Sequence, residues 1–127
     1  MIDSNSLQAW VQSFPGMVTV CDPAGVILAM NDAAIRAFAS SGGAALIGSN
    51  ALDCHPEPSR TKMVELLKTR ATNVYTTEKN GVHRLIYQCP WQKDGQYAGL
   101  VEIVVEIPAA MPHFVRGEHG KSEANPI

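Results

Sequence analysis

The side chains best suited to chemistry stand together in one short stretch, Asp53-Cys54-His55-Pro56-Glu57. A neutral imidazole at His55 could hydrogen-bond an acidic ligand or ligate a haem iron. It could equally be structural, capping the helix expected after it or bonding a backbone carbonyl. Cys54 could be a redox-active thiolate, but adjacent side chains seldom point the same way, which argues against a Cys54–His55 dyad.

The remaining reactive residues show no spacing typical of a catalytic or metal site. The cysteines are odd in number and lack a Cys-x-x-Cys pair, which indicates reduced thiols in a cytoplasmic protein: Cys21, Cys54 and Cys89. The other histidines, His83, His113 and His119, are isolated in sequence. No paired nucleophile and base, phosphate-binding loop or Glu-x-x-His pattern is present. We therefore expect no enzymatic activity and no metal ion.

Length and charge narrow the class of protein. The chain has 127 residues, of which 46% are hydrophobic and 17% charged, which is typical of one soluble domain. Its formal net charge is −2 at pH 7 and no run of Lys or Arg occurs, so nucleic acid is not an expected partner. The most apolar stretch, 100–107, contains Glu102 and Glu106 and is too short to span a bilayer, so we expect no membrane partner.

Periodicity predicts the elements that position these residues. Residues 5–13 form a short amphipathic helix with one apolar face that comprises Leu7, Trp10 and Val11. Asn31 should cap a helix over 32–39. The other expected elements are strands at 17–21, 26–30, 72–78, 82–91 and 96–107, a connector over 40–49, a turn over 51–55 and a helix over 60–70.

Alternation separates two faces in the last strand. The face expected to be core comprises Tyr97, Gly99, Val101, Ile103, Val105 and Ile107. The opposite face is half apolar, is expected to meet the N-terminal helix or a second subunit, and comprises Ala98, Leu100, Glu102, Val104 and Glu106. In the preceding strand, the large side chains of Tyr87 and Trp91 could either line a pocket or fill the core.

The order of these elements resembles that of a PAS domain, and local motifs carry the resemblance. Residues 14–20 are similar to the start of the first PAS strand, and Asp22-Pro23-Ala24-Gly25 with 26–31 resembles the family's hairpin and helix start. Leu46-Ile47-Gly48 is similar to the family's motif before the short helices, and 94–99 is similar to its final turn and strand. Cys54-His55-Pro56 also resembles a short motif before the long helix in PAS modules of some hemerythrin-associated bacterial proteins.

The resemblance implies an α+β fold with a five-stranded antiparallel sheet, in the order β-β-α-α-α-β-β-β. The helices would pack on one face of that sheet, with an N-terminal flanking helix. It divides the chain into an amphipathic helix over 1–13, a PAS domain over 14–108 and a flexible tail over 109–127. The stretch 49–54 lacks the cysteine motif of flavin photoreceptors, which argues against a flavin adduct. The helix over 60–70 lacks the histidine that haem-binding PAS domains usually supply there.

The resemblance therefore implies a sensory domain that binds a small, largely apolar ligand and signals through a change at a protein interface. The predicted ligand contacts are His55 as polar anchor with Met17, Met30, Met63, Tyr87 and Ile103. A first alternative is an interaction module with a filled core, which dimerises through Leu7, Trp10, Val11, Leu100 and Val104. A second is a haem or redox sensor that uses His55. The expected partners are a small molecule, a second copy of the chain and a signalling protein in trans.

Overall fold

The computed structural model describes residues 4–117, with side chains from residue 8 onward. The α-helices are α1 (Ser4–Ser13), α2 (Asp32–Ala37) and α3 (Ser59–Thr69), and short 3₁₀ turns span Ala39–Ser41, Gly43–Leu46 and Ala51–Cys54. The strands are β1 (Met17–Cys21), β2 (Ile27–Met30), β3 (Asn73–Lys79), β4 (Val82–Lys93) and β5 (Gln96–Ile107). The expected helices and strands are therefore present, with bounds that move by no more than two residues.

The strands form one antiparallel sheet in the order β2-β1-β5-β4-β3, which confirms the predicted fold class. The last strand in sequence, β5, lies at the centre and pairs with β1 on one side and β4 on the other. Two tight turns join the last three strands. Asn80-Gly81 and Asp94-Gly95 adopt positive φ angles at both residues (52° and 79°, 54° and 76°), as a two-residue hairpin of this twist requires.

The core lies between the sheet and the helices. Its buried side chains come from the sheet, the 3₁₀ turns and the helices, and they are Cys21, Ile27, Met30, Ala34, Ala51, Met63, Leu66, Leu67 and Leu100. Tyr97 fixes the end of α3 to the sheet, because its hydroxyl donates to the carbonyl oxygen of Leu67 over 3.0 Å. The guanidinium of Arg70 lies 4.3 Å from the centre of the Tyr97 ring.

Asn31 ties the first helix, the first strand and α2 together. Its side-chain oxygen accepts from the backbone amide of Ala34, which confirms the predicted cap, and also from that of Val18 at 2.9 Å. Its side-chain amide donates to the carbonyl oxygens of Val11 and Gly16 over 3.1 and 2.8 Å. The residue is 2% exposed, and its bonds to Gly16 and Ala34 are buried.

From Leu100 onward the two faces of β5 are the reverse of those expected, whereas Tyr97 lies on the inner face as expected. Leu100 is 5% exposed and packs in the core, so Glu102 and Val104, which alternate with it, also face the helices. Val101, Ile103 and Val105 therefore lie on the outer face. A shift of register contributes to the wrong assignment of faces. Gly99 pairs with Trp91 and Tyr97 pairs with Gln92, so Ala98 is an extra residue at which the alternation of faces changes phase.

No helix within residues 4–117 is long and apolar enough to cross a lipid bilayer. Residues 109–117 contain neither helix nor strand, and the rest of the tail expected over 109–127 lies outside the described residues.

Candidate functional site

A row of polar side chains crosses the face of the sheet that meets the helices. The register places Thr19 beside Glu102, Glu102 beside Gln88, and Gln88 beside Asn73, so the row spans β1, β5, β4 and β3. Glu102 belongs to this inner face because it alternates with the core residue Leu100. A polar row in this position is unusual, since side chains between a sheet and its helices are normally apolar.

Hydrogen bonds give the row a direction. The side-chain amide of Asn73 donates to Gln88 Oε1 over 2.8 Å, and Gln88 Nε2 donates to Glu102 Oε2 over 2.7 Å. An ionised carboxylate can only accept, so Glu102 dictates the orientation of the Gln88 amide, and Gln88 in turn that of Asn73. Within the described residues, Glu102 Oε1 has no hydrogen-bond partner and remains available as an acceptor.

His55 stands opposite this row. It follows the 3₁₀ turn Ala51–Cys54, whose start is fixed by the Asn50 side chain accepting from the amide of Leu52 at 2.9 Å. His55 Nδ1 lies 2.7 Å from the carbonyl oxygen of Ala51. A carbonyl can only accept, so Nδ1 carries a proton and donates it in this bond, and in the neutral tautomer Nε2 holds the lone pair. The backbone bond expected of a structural histidine is thus present, and it leaves one ring nitrogen free for a ligand.

Three adjoining cavities surround His55 and Glu102, and both residues line all three. The largest, of about 470 Å³, opens between α3 and strands β3 and β4, and its other lining residues include Met63, Leu66, Asn73, Tyr75 and Gln88. The second, of about 220 Å³, lies toward the 3₁₀ turns and includes Met30, Phe38, Leu46 and Cys54. A small space of about 50 Å³ at Thr19, Cys21 and Leu100 shares lining residues with both.

The predicted ligand contacts divide into three groups. His55, Met30 and Met63 line these cavities. Met17 lines a separate cleft of about 420 Å³, together with Arg36 and Arg84. The placement of Tyr87 and Ile103 in the pocket is wrong, because the two residues pair with each other on the outer face of the sheet. Tyr87 is 42% exposed there.

Sequence reasoning missed Asn73, Gln88 and Glu102. One signal was present, since Glu102 interrupts the apolar run 100–105 at a position that alternates with a buried leucine. The register that brings Gln88 and Asn73 beside it depends on three strands and cannot be read from periodicity.

The surroundings of His55 fit a haem poorly. Nε2 could serve as an axial ligand, but a porphyrin needs a broad apolar slot on both faces. Here the sheet side of the cavities carries a carboxylate and the amide of Gln88, and burying a carboxylate against an apolar ring is costly. Among residues 4–117, no group of three or more His, Cys, Asp or Glu side chains could hold a metal ion.

The cysteines do not form a pair. All three are free thiols. Burial raises the pKa of the Cys21 thiol, which suppresses its reactive thiolate form. Cys54 is exposed and lines the second cavity beside His55.

The outer face of the sheet carries apolar side chains that nothing within residues 4–117 covers fully. Val74 and Tyr87 are 48% and 42% exposed. At the end of α1, Trp10 is 65% exposed and stacks on Phe14 with ring centres 5.8 Å apart. Of the predicted interface residues, Trp10 and Val11 are exposed, and the side chain of Leu7 lies outside the described residues. The placement of Leu100 and Val104 on an outer patch is wrong, since both lie on the inner face.

The family model for the PAS fold matches residues 5–96, and the chain therefore belongs to the PAS family. No curated protein sequence matches it.

Solved structures with the same fold are distant in sequence. The PAS domain of BvgS from Bordetella pertussis is 19% identical with a TM-score of 0.61, over 82% of this chain and 85% of that one. A sensory box sensor histidine kinase from Vibrio cholerae is 15% identical with a TM-score of 0.55, over 80% and 90%. The Aer2 receptor of Vibrio cholerae, described as a dual PAS-heme oxygen sensor, is 20% identical with a TM-score of 0.51, over 73% and 95%.

Proposed function

We propose that this PAS domain is a sensory module that binds a small ligand in the cavities around His55 and Glu102. The observation that carries the proposal is that both residues line three adjoining cavities while each keeps an acceptor atom without a partner in the described chain. The largest cavity, about 470 Å³, lies within the size range of small-molecule sites. Binding and signalling is the role that we propose, since proteins that share the fold are described as a sensor kinase and an oxygen sensor.

Strand β5 connects the ligand cavities to the opposite surface. Glu102 faces the cavities, whereas its neighbours Val101 and Ile103 face outward, so a ligand that moves Glu102 also moves outer-face side chains. At the end of the strand, the side chains of Val105 and Phe14 both lie against Gly16 at the end of α1. Ligand binding would therefore favour one position of α1 and of the outer face.

A second copy of the chain is the partner that we propose for the outer face. Its exposed apolar residues, Val74 and Tyr87 with Trp10 on α1, are of the type enriched in the core of protein interfaces. A signalling protein that responds in trans to the new position of α1 and the outer face would contact the same surface. The free thiols Cys21, Cys54 and Cys89 suit a reducing compartment, and we propose a cytoplasmic location.

The test is native mass spectrometry of the purified chain, with thermal melting across a metabolite panel. Met63→Trp should fill the largest cavity and abolish both the co-purified mass and the ligand-induced rise in melting temperature. Val64→Trp is the matched control, because Val64 is the next residue on α3 and is 45% exposed. Circular dichroism checks that both variants fold.

Two outcomes contradict the proposal. The first is a wild-type spectrum with no bound small molecule together with no thermal shift from any metabolite. The second is a ligand that binds Met63→Trp and Val64→Trp equally well. If Met63→Trp does not fold, Gln88→Leu replaces it, because it removes the central member of the polar row with little change of volume.

A further inference from the structure

We infer that the ligand is a small organic cation whose ammonium or amidinium group donates N–H bonds to Glu102 and His55. The inference rests on the proposed ligand-binding function and adds the chemical class of the ligand. Its basis is the juxtaposition of two side chains, Glu102 and His55, which line the same cavities and each have one polar atom, Oε1 and Nε2, without a partner among the described residues.

The hydrogen bonds within the protein leave Glu102 Oε1, and Nε2 of a neutral His55, to accept from a ligand. Gln88 donates to Glu102, so the carboxylate is not held as a protonated acid by a neighbouring acceptor, and its second oxygen keeps its lone pairs. The carbonyl oxygen of Ala51 accepts from the Nδ1–H of His55, so a neutral ring offers the lone pair of Nε2 to a ligand. A ligand that satisfies both atoms must donate. A carboxylate or phosphate ligand would instead face Glu102 with like charge.

The carboxylate of Glu102 takes part in none of the ion pairs among the described residues. Within residues 4–117, the ion pairs join Lys62 to Glu65, His83 to Glu78 and Arg84 to Glu106, and none involves Glu102. Lys62 also lines the largest cavity, but its side chain is 53% exposed and lies 3.8 Å from Glu65. Arg60 is likewise engaged, since its guanidinium donates to the carbonyl oxygen of Leu52 over 3.1 Å.

The rest of the lining limits the body of the ligand. Met63, Leu66 and Tyr75 offer apolar surface in the largest cavity. A positive head on an aromatic or branched aliphatic body would place the head at Glu102 and the body against Met63. Charge-assisted hydrogen bonds are about twice as strong as neutral ones, so the head should dominate selectivity.

The experiment compares three probes that share a benzene ring and differ in charge: benzamidine, benzyl alcohol and benzoate. Each is titrated into the ¹⁵N-labelled full chain, and amide shifts at His55, Gln88 and Glu102 are followed, with Gly81 in the turn between β3 and β4 as reference. We expect benzamidine to bind about tenfold more tightly than benzyl alcohol, and benzoate to bind least.

Glu102→Gln supplies the matched variant. The substituted side chain would accept from Gln88 through its amide oxygen and present its own N–H to the cavity. Benzamidine should then lose its roughly tenfold preference, and benzoate should gain affinity. Glu106→Gln, four residues further along β5, removes a carboxylate outside these cavities and should leave the ranking unchanged.

Benzyl alcohol or benzoate binding as tightly as benzamidine to the wild-type chain overturns the inference, and so does an absence of benzamidine shifts at the cavity residues. The proposed function is judged separately, by the small-molecule mass in the native spectrum. A neutral or anionic molecule found there would overturn the cationic class and leave the sensory function standing. If Glu102→Gln does not fold, the ranking on the wild-type chain decides.

Discussion

Gly99 of β5 lies so close to Cys21 of β1 that a Cβ atom built on Gly99 would stand 1.9 Å from the Cys21 carbonyl oxygen. The backbone of Gly99 also has a φ of 134°, which side-chain-bearing residues rarely adopt. Trp91, which pairs with Gly99, donates its indole N–H to the same Cys21 oxygen over 3.0 Å. The close approach of two backbones thus sets the path of the sheet where β5 changes register.

Gly99→Ala should therefore prevent folding or cost more than about 4 kcal/mol, because the clash is with backbone and cannot be relieved by a rotamer change. Gly81→Ala is the control. Gly81 also has a positive φ, of 79°, but a Cβ there would meet nothing within 4 Å, so only backbone strain of about 1 kcal/mol is expected. Urea unfolding measures both, and equal losses in the two variants would contradict the steric explanation.

Asn31→Leu should destabilise the domain by about 3 kcal/mol, since it removes the cap of α2 and leaves buried backbone groups of β1 without partners. Asn31→Asp keeps the acceptor for Val18 and Ala34 but turns its second oxygen toward the carbonyl oxygens of Val11 and Gly16, so it should also destabilise the domain. Chemical denaturation gives both values. A loss below about 1 kcal/mol for Asn31→Leu would show that these bonds contribute little.

Glu57 should make the start of α3 sensitive to acid. Hydrogen bonds from the hydroxyl and the backbone amide of Thr61 hold the pKa of the Glu57 carboxyl below its ordinary value. A lowered folded-state pKa means that the contribution is present above the unfolded pKa and is lost as pH falls through the folded one. The free energy of unfolding should therefore differ between wild type and Glu57→Gln near pH 7, and the difference should shrink toward about pH 3.

Thr61→Val serves as the control for Glu57, because it removes the hydroxyl donor and keeps the backbone donor. It should narrow the pH-dependent difference without abolishing it. Parallel stability curves for wild type and Glu57→Gln across the pH range would rule out this contribution.

Trp10→Glu and Tyr87→Glu should each weaken self-association of the chain, because they place a charge in the apolar surface proposed for the second copy. Sedimentation velocity should show a dimer for wild type and a shift toward monomer for both variants. Val64→Glu changes an apolar residue on α3 that is about as exposed as Tyr87, and it should leave the dimer intact. A wild-type chain that stays monomeric at high concentration would contradict the proposed partner.

The elements could be predicted from the sequence because their signals are local. Asn80-Gly81 and Asp94-Gly95 specify their turns through the backbone freedom of those residues, and Asn31 specifies the start of α2. The faces of β5 could not be assigned in the same way. Both faces carry apolar residues, so alternation does not identify the side that meets the helices, and the extra residue at Ala98 moves Tyr97 to the inner side.

Half of the candidate site could likewise not be predicted from the sequence. His55, Met30 and Met63 could be selected by residue type and by their position near the short helices. The row of Asn73, Gln88 and Glu102 exists only because three antiparallel strands align in one register, and these residues are as much as 29 positions apart in the sequence. A search for residues close in sequence cannot find such a row.

The central position of β5 has a consequence for how the chain acquires its structure. Strands β1 and β2 form one hairpin, β3 and β4 form another, and only β5 hydrogen-bonds to both. During synthesis, the first hairpin must wait for residues 96–107 before it can join the rest of the sheet, as the pairing of Met17 with Val104 illustrates. Joining such distant segments carries a large loop-closure cost, so we expect this step to limit the rate of folding. A chain that stops before residue 96 would lack the strand that joins the two hairpins, and a two-stranded hairpin is at best marginally stable alone.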